Sequence, residues 1–235
     1  MPLDSEVIAS ATKWKPHAVT QVLQDNAPSV YRIAYALAGR WDVGRGIARF
    51  VLNRSVRMMP KWKPEDDPAN WYHRFTIMVA RRGAKHGIAS PAKDVLVEQA
   101  MQPDTRYVAF VSALRQLETQ QREAFLLHHC ERLNARYSAL AMDCSTEAAE
   151  NHLKAANQAL QLVAGADFDP LTRKLADAYG HLTPDPNDLL PSVNSMVFRG
   201  VRLRKWLRRL VRLLGLAALA GLLWGGWIVY HRMKG

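Results

Sequence analysis

From Leu213 to Tyr230 the chain carries no charged side chain (LLGLAALAGLLWGGWIVY). A helix of that length spans about 27 Å, close to the hydrocarbon thickness of a bilayer. Arg199, Arg202, Arg204, Lys205, Arg208, Arg209 and Arg212 precede it, and only His231, Arg232 and Lys234 follow. The positive-inside rule then keeps the large N-terminal part in the cytoplasm and passes only residues 231–235 across. Trp206 falls at the near interface and Trp224, Trp227 and Tyr230 at the far one, where amphipathic rings prefer to lie. The expectation is a single-pass protein of the cytoplasmic membrane. Ala217, Gly221 and Gly225 repeat a small residue every fourth position, a spacing that supports self-association of the span. The basic cluster before it can bind anionic membrane lipid.

The formal net charge of +11 changes meaning once it is located. Nine of the 32 Lys and Arg residues lie from Arg199 onward with no acid among them, leaving 23 against 21 acids elsewhere. The basicity is therefore mostly a membrane signature and says little by itself about DNA. Residues 28–90 hold twelve basic side chains against four acidic, whereas residues 104–165 hold six against seven. Cys130 and Cys144 lack any paired metal-ligand spacing, and a cytoplasmic setting keeps them reduced. His128-His129-Cys130-Glu131 is a ligand cluster only on paper, because helix neighbours point apart and do not converge on one ion. No metal and no cofactor are expected. The N-terminus has no apolar signal core, and no Walker, dinucleotide-type glycine or GxSxG pattern occurs.

No stretch alternates like a strand for long, while several carry apolar residues at three- and four-residue spacing, so the class is all-α. After a lead at 1–16, a first helical module spans 17–83. It starts with a short helix near His17–Leu23. Pro28 then opens a helix to about Ala38 with Val30, Ile33, Ala34 and Leu37 on one face. Gly39 ends that helix, and Asp42 caps the next, with Ile47, Phe50, Val51 and Met58 as apolar positions before Pro60. A third helix, about Ala69–Arg82, is expected to bury Trp71, Phe75, Met78 and Val79. Residues 84–103 read as a linker with a short helix at Val95–Met101. A second module at 104–165 contains helices near Tyr107–Leu117, Thr119–Arg132, Arg136–Met142 and Thr146–Val163. Residues 166–198, rich in Pro and Asp, read as another linker with a brief helix at Leu171–Tyr179. The segment 199–235 is juxtamembrane helix and transmembrane helix, the span itself at 213–230.

The second module has the pattern of a helix-turn-helix. Ala139 and Met142 fall on its first helix, Ser145 is an N-cap, and a longer helix turns Leu153, Ala156 and Leu160 inward. In that arrangement the second helix presents its N-terminal side chains to base edges in the major groove. The stretch Ala113–Leu160 resembles region 4 of the extracytoplasmic-function sigma factors of bacterial RNA polymerase. The family's "aL..Lp..qRe.flL.h.egls" stands here as Ala113-Leu114, Leu117, Gln121-Arg122-Glu123, Phe125-Leu126-Leu127, His129, Glu131 and Leu133-Asn134. Its "S…hL..A" stands as Ser145, His152-Leu153 and Ala156. Upstream, Val30-Tyr31-Arg32-Ile33-Ala34 and Trp71-Tyr72-His73-Arg74 through Ala80-Arg81-Arg82 resemble region 2. The likeness covers about residues 17–163.

That resemblance implies a membrane-tethered sigma-factor-like protein, not an enzyme, that binds core RNA polymerase and promoter DNA while polymerase does the chemistry. Region 2 of the family docks on the polymerase clamp, here through Asp42, Arg45 and Arg49. It also holds the melted start-proximal promoter element, a role matched by Lys61, Trp62, Lys63, Trp71, His73, Arg74, Arg81 and Arg82. Stacking and phosphate contact are what such aromatic and basic groups supply. Region 4 reads the upstream element, here through Ser145, Thr146, Glu147, Glu150, Asn151 and Lys154. Inhibition would come from tethering itself or from an inhibitory partner, and self-association of the span is a separate expected contact.

The chain departs from the family at two points. The acidic "AED..Q" of the clamp-binding helix is replaced by residues around Asp42-Val43-Gly44-Arg45-Gly46-Ile47. The expected recognition helix carries Glu147 and Glu150 with only Lys154, which lowers phosphate affinity, although glutamate can accept from cytosine N4. The second expectation is therefore a degenerate sigma fold acting as a membrane-anchored interaction or sequestering module without DNA binding.

Overall fold

The computed structural model describes residues 4–63, 67–83, 93–184 and 186–233. Side chains at 186–188, 201–205, 208, 219–220 and 222–233 lie outside that description. Among the described residues every regular element is helical. Helix α1 is Ser5–Thr12, α2 Pro16–Ala38, α3 Trp41–Met58 and α4 Pro68–Gly83. After the one-turn α5, Val95–Glu98, come α6 Thr105–Gln116, α7 Thr119–His129, α8 Ala135–Met142 and α9 Thr146–Ala164. Two further helices close the chain, α10 Phe168–Gly180 and α11 Pro186–Met233.

In the first module α2 does not start at Pro28; it runs from Pro16 straight through that proline. An interior proline costs about 3 kcal/mol by removing a donor and crowding the preceding turn. Val22, Leu23, Ala27, Val30 and Ala34 are all fully buried along this helix, and packing on both sides of Pro28 outweighs the penalty. Gly39, at φ +68°, ends α2 with its N–H on the Tyr35 carbonyl. A two-residue corner then returns the chain as α3. Asp42 sits in the first turn of α3 and pairs with Arg40 at 2.8 Å; Arg40 occupies the cap position expected for Asp42.

The buried face of α4 is turned from the expected one. Tyr72, His73, Thr76, Ile77 and Ala80 face the core, whereas Trp71, Phe75, Met78 and Val79 are half-buried. Tyr72 wins its place because its hydroxyl is satisfied there, donating to Ser55 Oγ at 2.8 Å. Ser55 in turn donates to the Leu52 carbonyl. A buried phenol with a partner contributes its full ring without leaving a polar atom bare.

The second module follows the expected helices closely. Its caps are the sequence's own: Asp104 accepts from Tyr107 N–H, Asn134 from Tyr137 N–H and Ser145 from Ala148 N–H. Asp143, at φ +61°, makes the left-handed turn between α8 and α9. Ala156 and Leu160 are buried as expected, with Phe110, Leu114, Phe125, Ala139 and Met142.

The two stretches expected as linkers both contribute side chains to the core, residues 84–92 of the first lying outside the described residues. Asp94, Val95, Leu96 and Val97 are buried against Gly39 and α6, and Arg115 holds Asp94 with two hydrogen bonds of 2.6 and 2.9 Å. Residues 168–180 are helix α10 and 186–197 the start of α11, and Leu175, Tyr179, Leu182 and Val193 are buried. Each such apolar side chain contributes about 1.5–3 kcal/mol on burial, enough to hold a proline- and aspartate-rich segment down. The first part of α11 lies across α2 and α3, and a Cβ on Gly200 would meet Val56 at 2.7 Å. The stretch 213–230 is helical within α11. Among the described residues no helix is long and apolar enough to cross a membrane, so the expected span gains no support from the fold.

Candidate functional site

The face where the two modules meet gathers three of the eight residues matched to the start-proximal promoter element. Arg81 reaches from α4 to Glu123 on α7, with Nε to Oε1 at 2.8 Å and Nη2 to Oε2 at 2.6 Å. The same Nη2 donates to the Met142 carbonyl at the end of α8. The Glu123 side chain is only 1% exposed, so this fork is what keeps its charge inside the protein. Hydrogen bonding to Glu123 holds the Arg81 guanidinium above its ordinary pKa. One turn and three residues earlier, Arg74 pairs with Asp143 at 2.8 Å, both well exposed, a contact worth about 0–1 kcal/mol.

His73 belongs to a second tie centred on Glu131. That carboxylate accepts from Ser29 Oγ at 3.1 Å, Arg32 Nε at 3.1 Å and Tyr179 Oη at 2.7 Å. One acid thus joins α2 of the first module, the end of α7 in the second, and α10 of the C-terminal segment. His73 Nε2 lies 3.0 Å from Ser29 Oγ. Because the Ser29 hydroxyl proton is directed at Glu131, the imidazole carries its own proton on Nε2 and donates. Burial lowers the His73 pKa and raises that of Tyr179, in each case the largest cause. Arg32 also lies over the Tyr179 ring at 5.8 Å.

An aromatic row runs along the outer edge of α4. Trp62 meets Trp71 at 5.5 Å between ring centroids, Trp71 stacks on Phe75 at 4.8 Å, and Phe75 stacks on Phe50 at 6.3 Å. Trp62 is buried, Trp71 and Phe75 are half-buried, and Phe50 is 56% exposed. Lys61 and Lys63 flank Trp62 and are exposed, so the Trp71 end of the row combines ring faces with positive charge. Arg82 is exposed but faces the cleft between α3 and α4, away from the Trp71 end.

The six residues matched to the upstream element are all exposed, and they stand together on the capped start of α9. Ser145 spends its hydroxyl on the cap. Asp42, Arg45 and Arg49 are exposed on α3, and Arg45 and Arg49 line a cavity of about 530 Å³ closed on its other side by Thr183, Leu189 and Ser192. Leu213 and Gly221, assigned to the membrane span, are exposed on α11, while the side chain of Tyr230 and the environment of Gly225 lie outside the described residues.

Several residues of this site carry no signal that sequence patterning could have used. Glu123 sits in an ordinary amphipathic helix and Glu131 just past its end, and their arginine partners are 42 and 99 residues away. Tyr179 lies in a segment whose composition reads as linker. Phe50 has helical spacing typical of a core position, and only the packing of α4 leaves it outside.

No family model and no curated protein sequence matches this chain. Its fold is similar to two solved structures. One is CnrH in complex with the cytosolic domain of CnrY, at TM-score 0.57 and 17% identity over 70% of this chain and 98% of that one. The other is the sigma factor RpoE in complex with the anti-sigma factor NepR from Bartonella quintana. There the TM-score is 0.50 and the identity 18%, over 63% of this chain and 96% of that one. The fold is sigma-factor-like.

Proposed function

We propose that this chain is a membrane-tethered, sigma-factor-like regulator of transcription initiation that binds core RNA polymerase and promoter DNA. It acts by binding, and polymerase performs the chemistry. The observation that carries the reading is the start of α9. In a sigma-like fold, Thr146, Glu147, Glu150, Asn151 and Lys154 stand exposed on the helix that a helix-turn-helix presents to base edges. The aromatic row with Lys61 and Lys63 supports the second contact, to an unpaired strand. His73, Arg74 and Arg81 are engaged with the second module or the Glu131 tie, so this is a closed form and promoter access requires the modules to part. The tether rests on sequence: an uncharged stretch at 213–230 preceded by seven basic residues.

The test mixes the full chain in detergent micelles with core RNA polymerase and follows co-elution on gel filtration, alone and with promoter-length DNA. Co-elution that strengthens in Glu123→Gln, which loosens the tie and keeps Arg81, supports the reading and its closed form. A second reading is favoured by Glu147 and Glu150 on the recognition helix and by the arginines of α3: a membrane-anchored interaction module without DNA binding. Failure of both the native chain and Glu123→Gln to hold polymerase or DNA would put that reading first.

A further inference from the structure

Past residue 163, where the likeness to the sigma family ends, the chain adds a segment that touches both modules. Helix α10 packs on α6 and α9 of the second module and also meets α2 of the first. The start of α11 lies on α2 and α3. Leu171, Leu175 and Tyr179 are buried in the first of these seats, and Val193, Met196 and Val197 in the second. The Tyr179 hydroxyl closes the Glu131 tie, in which α2 and the end of α7 already meet.

The first seat has the anatomy of a detachable interface, an apolar centre inside a polar rim. At its centre the Phe168 ring lies 6.3 Å from Phe110 and 6.5 Å from Phe125. At its rim Arg106 pairs with Asp167 at 2.6 Å, both exposed, and Lys174 donates to the Gln102 carbonyl at 2.9 Å. Water replaces such rim contacts at little cost. The buried Thr172 hydroxyl finds no hydrogen-bond partner among the described residues, which weakens the seat further. The second seat depends on shape. A Cβ on Gly200 would stand 2.7 Å from Val56 Cγ1, so α11 approaches α3 this closely only because that residue is glycine. Nearer its start, Leu189 and Ser192 stand across the cavity of about 530 Å³ from Arg45 and Arg49.

We propose that residues 168–200 are an inhibitory strap acting in cis. Bound, the strap ties the two modules into the closed form and stands over the α3 face that carries Arg45 and Arg49. Released, it frees that face and lets the modules part. Helix α11 gives the strap a handle. It is a single helix from Pro186 to Met233, so about 50 Å of helix beyond Gly200 moves with Val193, Met196 and Val197. A pull or a turn applied there reaches the second seat without slack. What the strap shuts off rests on the polymerase reading; that it holds the modules together does not.

The test keeps the whole chain, in detergent micelles, and inserts a site-specific protease sequence after Gly165. That exposed turn has φ +57° and open space around it, so the insertion meets no packed neighbour. Dyes on Asn53→Cys and Gln120→Cys, both exposed positions, in a Cys144→Ser background report the separation of the modules by energy transfer. Cutting turns a contact with an effective concentration of about 1 mM into one between separate chains. At about 10 nM transfer should therefore fall after cutting, and at about 10 µM it should return by mass action. Far-UV circular dichroism should hold throughout. Gly200→Leu should lower transfer in the uncut chain.

Unchanged transfer in the cut protein at about 10 nM overturns the proposal. So does loss of helix on cutting, which would make the segment an integral part of the core. Core polymerase should bind the cut protein about tenfold more tightly than the uncut, the gain expected if the closed form outnumbers the open one about ten to one. A fall in transfer without that gain supports the strap and counts against the polymerase reading alone.

Discussion

Arg81 and Glu123 are joined by two hydrogen bonds, 2.8 and 2.6 Å long, across the boundary between the two helical modules. The carboxylate is almost wholly buried, while the guanidinium keeps a third of its surface in solvent. The pair is therefore asymmetric: each partner's loss has a different consequence. Arg81→Met strands a buried negative charge and should destabilise the fold by about 3–5 kcal/mol. Glu123→Gln keeps the shape and part of the bonding, and should cost about 1–2 kcal/mol. Combining the two substitutions removes the stranded charge and should recover part of the Arg81→Met loss. Urea unfolding midpoints of the four proteins check this, and additive single effects would show that the two side chains are not coupled.

Acid should loosen the same boundary through His73. Burial holds its folded pKa below the unfolded value of about 6.5. Above that value the ring is neutral in both states and its contribution is complete. As pH falls below it, the unfolded chain takes up the proton first, so stability declines until the folded pKa is reached. His129, lowered chiefly by burial, acts in the same direction. The stability difference between pH 7.5 and pH 5.5 should shrink in His73→Gln, measured by denaturant unfolding at both values.

The C-terminal segment should detach before the modules do. Tyr179→Phe removes one of the donors on Glu131 and leaves the ring in place, a loss of about 1.5–3 kcal/mol for a bond to a charged acceptor. Limited trypsin digestion should then cut faster at Arg173 and Lys174 while far-UV circular dichroism stays unchanged. Equal cutting rates would mean that Arg32 and Ser29 alone satisfy the carboxylate.

Duplex DNA binding should be limited by the charge of α9. Glu147 and Glu150 are exposed beside Lys154 on its first turns. Replacing both with Lys should strengthen binding and steepen its salt dependence by about two units of log–log slope, if each new lysine meets a phosphate. Filter binding over a salt series reads that slope. An unchanged slope would place this face of α9 away from the DNA backbone.

Membrane attachment should depend on residues after Gly200. Met196 and Val197 are buried and Gly200 packs against Val56, so a cut before them removes core as well as tail. Deleting 201–235 should move the protein from the membrane pellet to the supernatant with its thermal midpoint little changed. Retention in the pellet would remove the tether from the proposed function.

Local chemistry was readable where it is local. The cap at Ser145 and the stop at Gly39 depend on a few adjacent residues and stand where the sequence put them. Pro28 is the counter-example. Its penalty is also local, yet buried contacts on both sides override it. For α4 the period was right and the phase wrong, because Tyr72 and Trp71 are equally apolar in a sequence. Only the hydroxyl of Ser55, waiting on α3, decides which ring goes inward.

The order of the helices, the turn of the second module and the sigma-like pattern came from residues within one or two helical turns of each other, and such patterns survive in a linear string. The joining of the modules did not. Glu123, Glu131, Asp94 and Tyr179 take their roles from partners between 21 and 102 residues away. A buried charge is tolerated only where the fold brings its counter-charge, and no spacing rule encodes that meeting. The same reason put part of each expected linker into the core and left Phe50 outside. Burial is a property of the assembled surface, and it exists only after the helices have met.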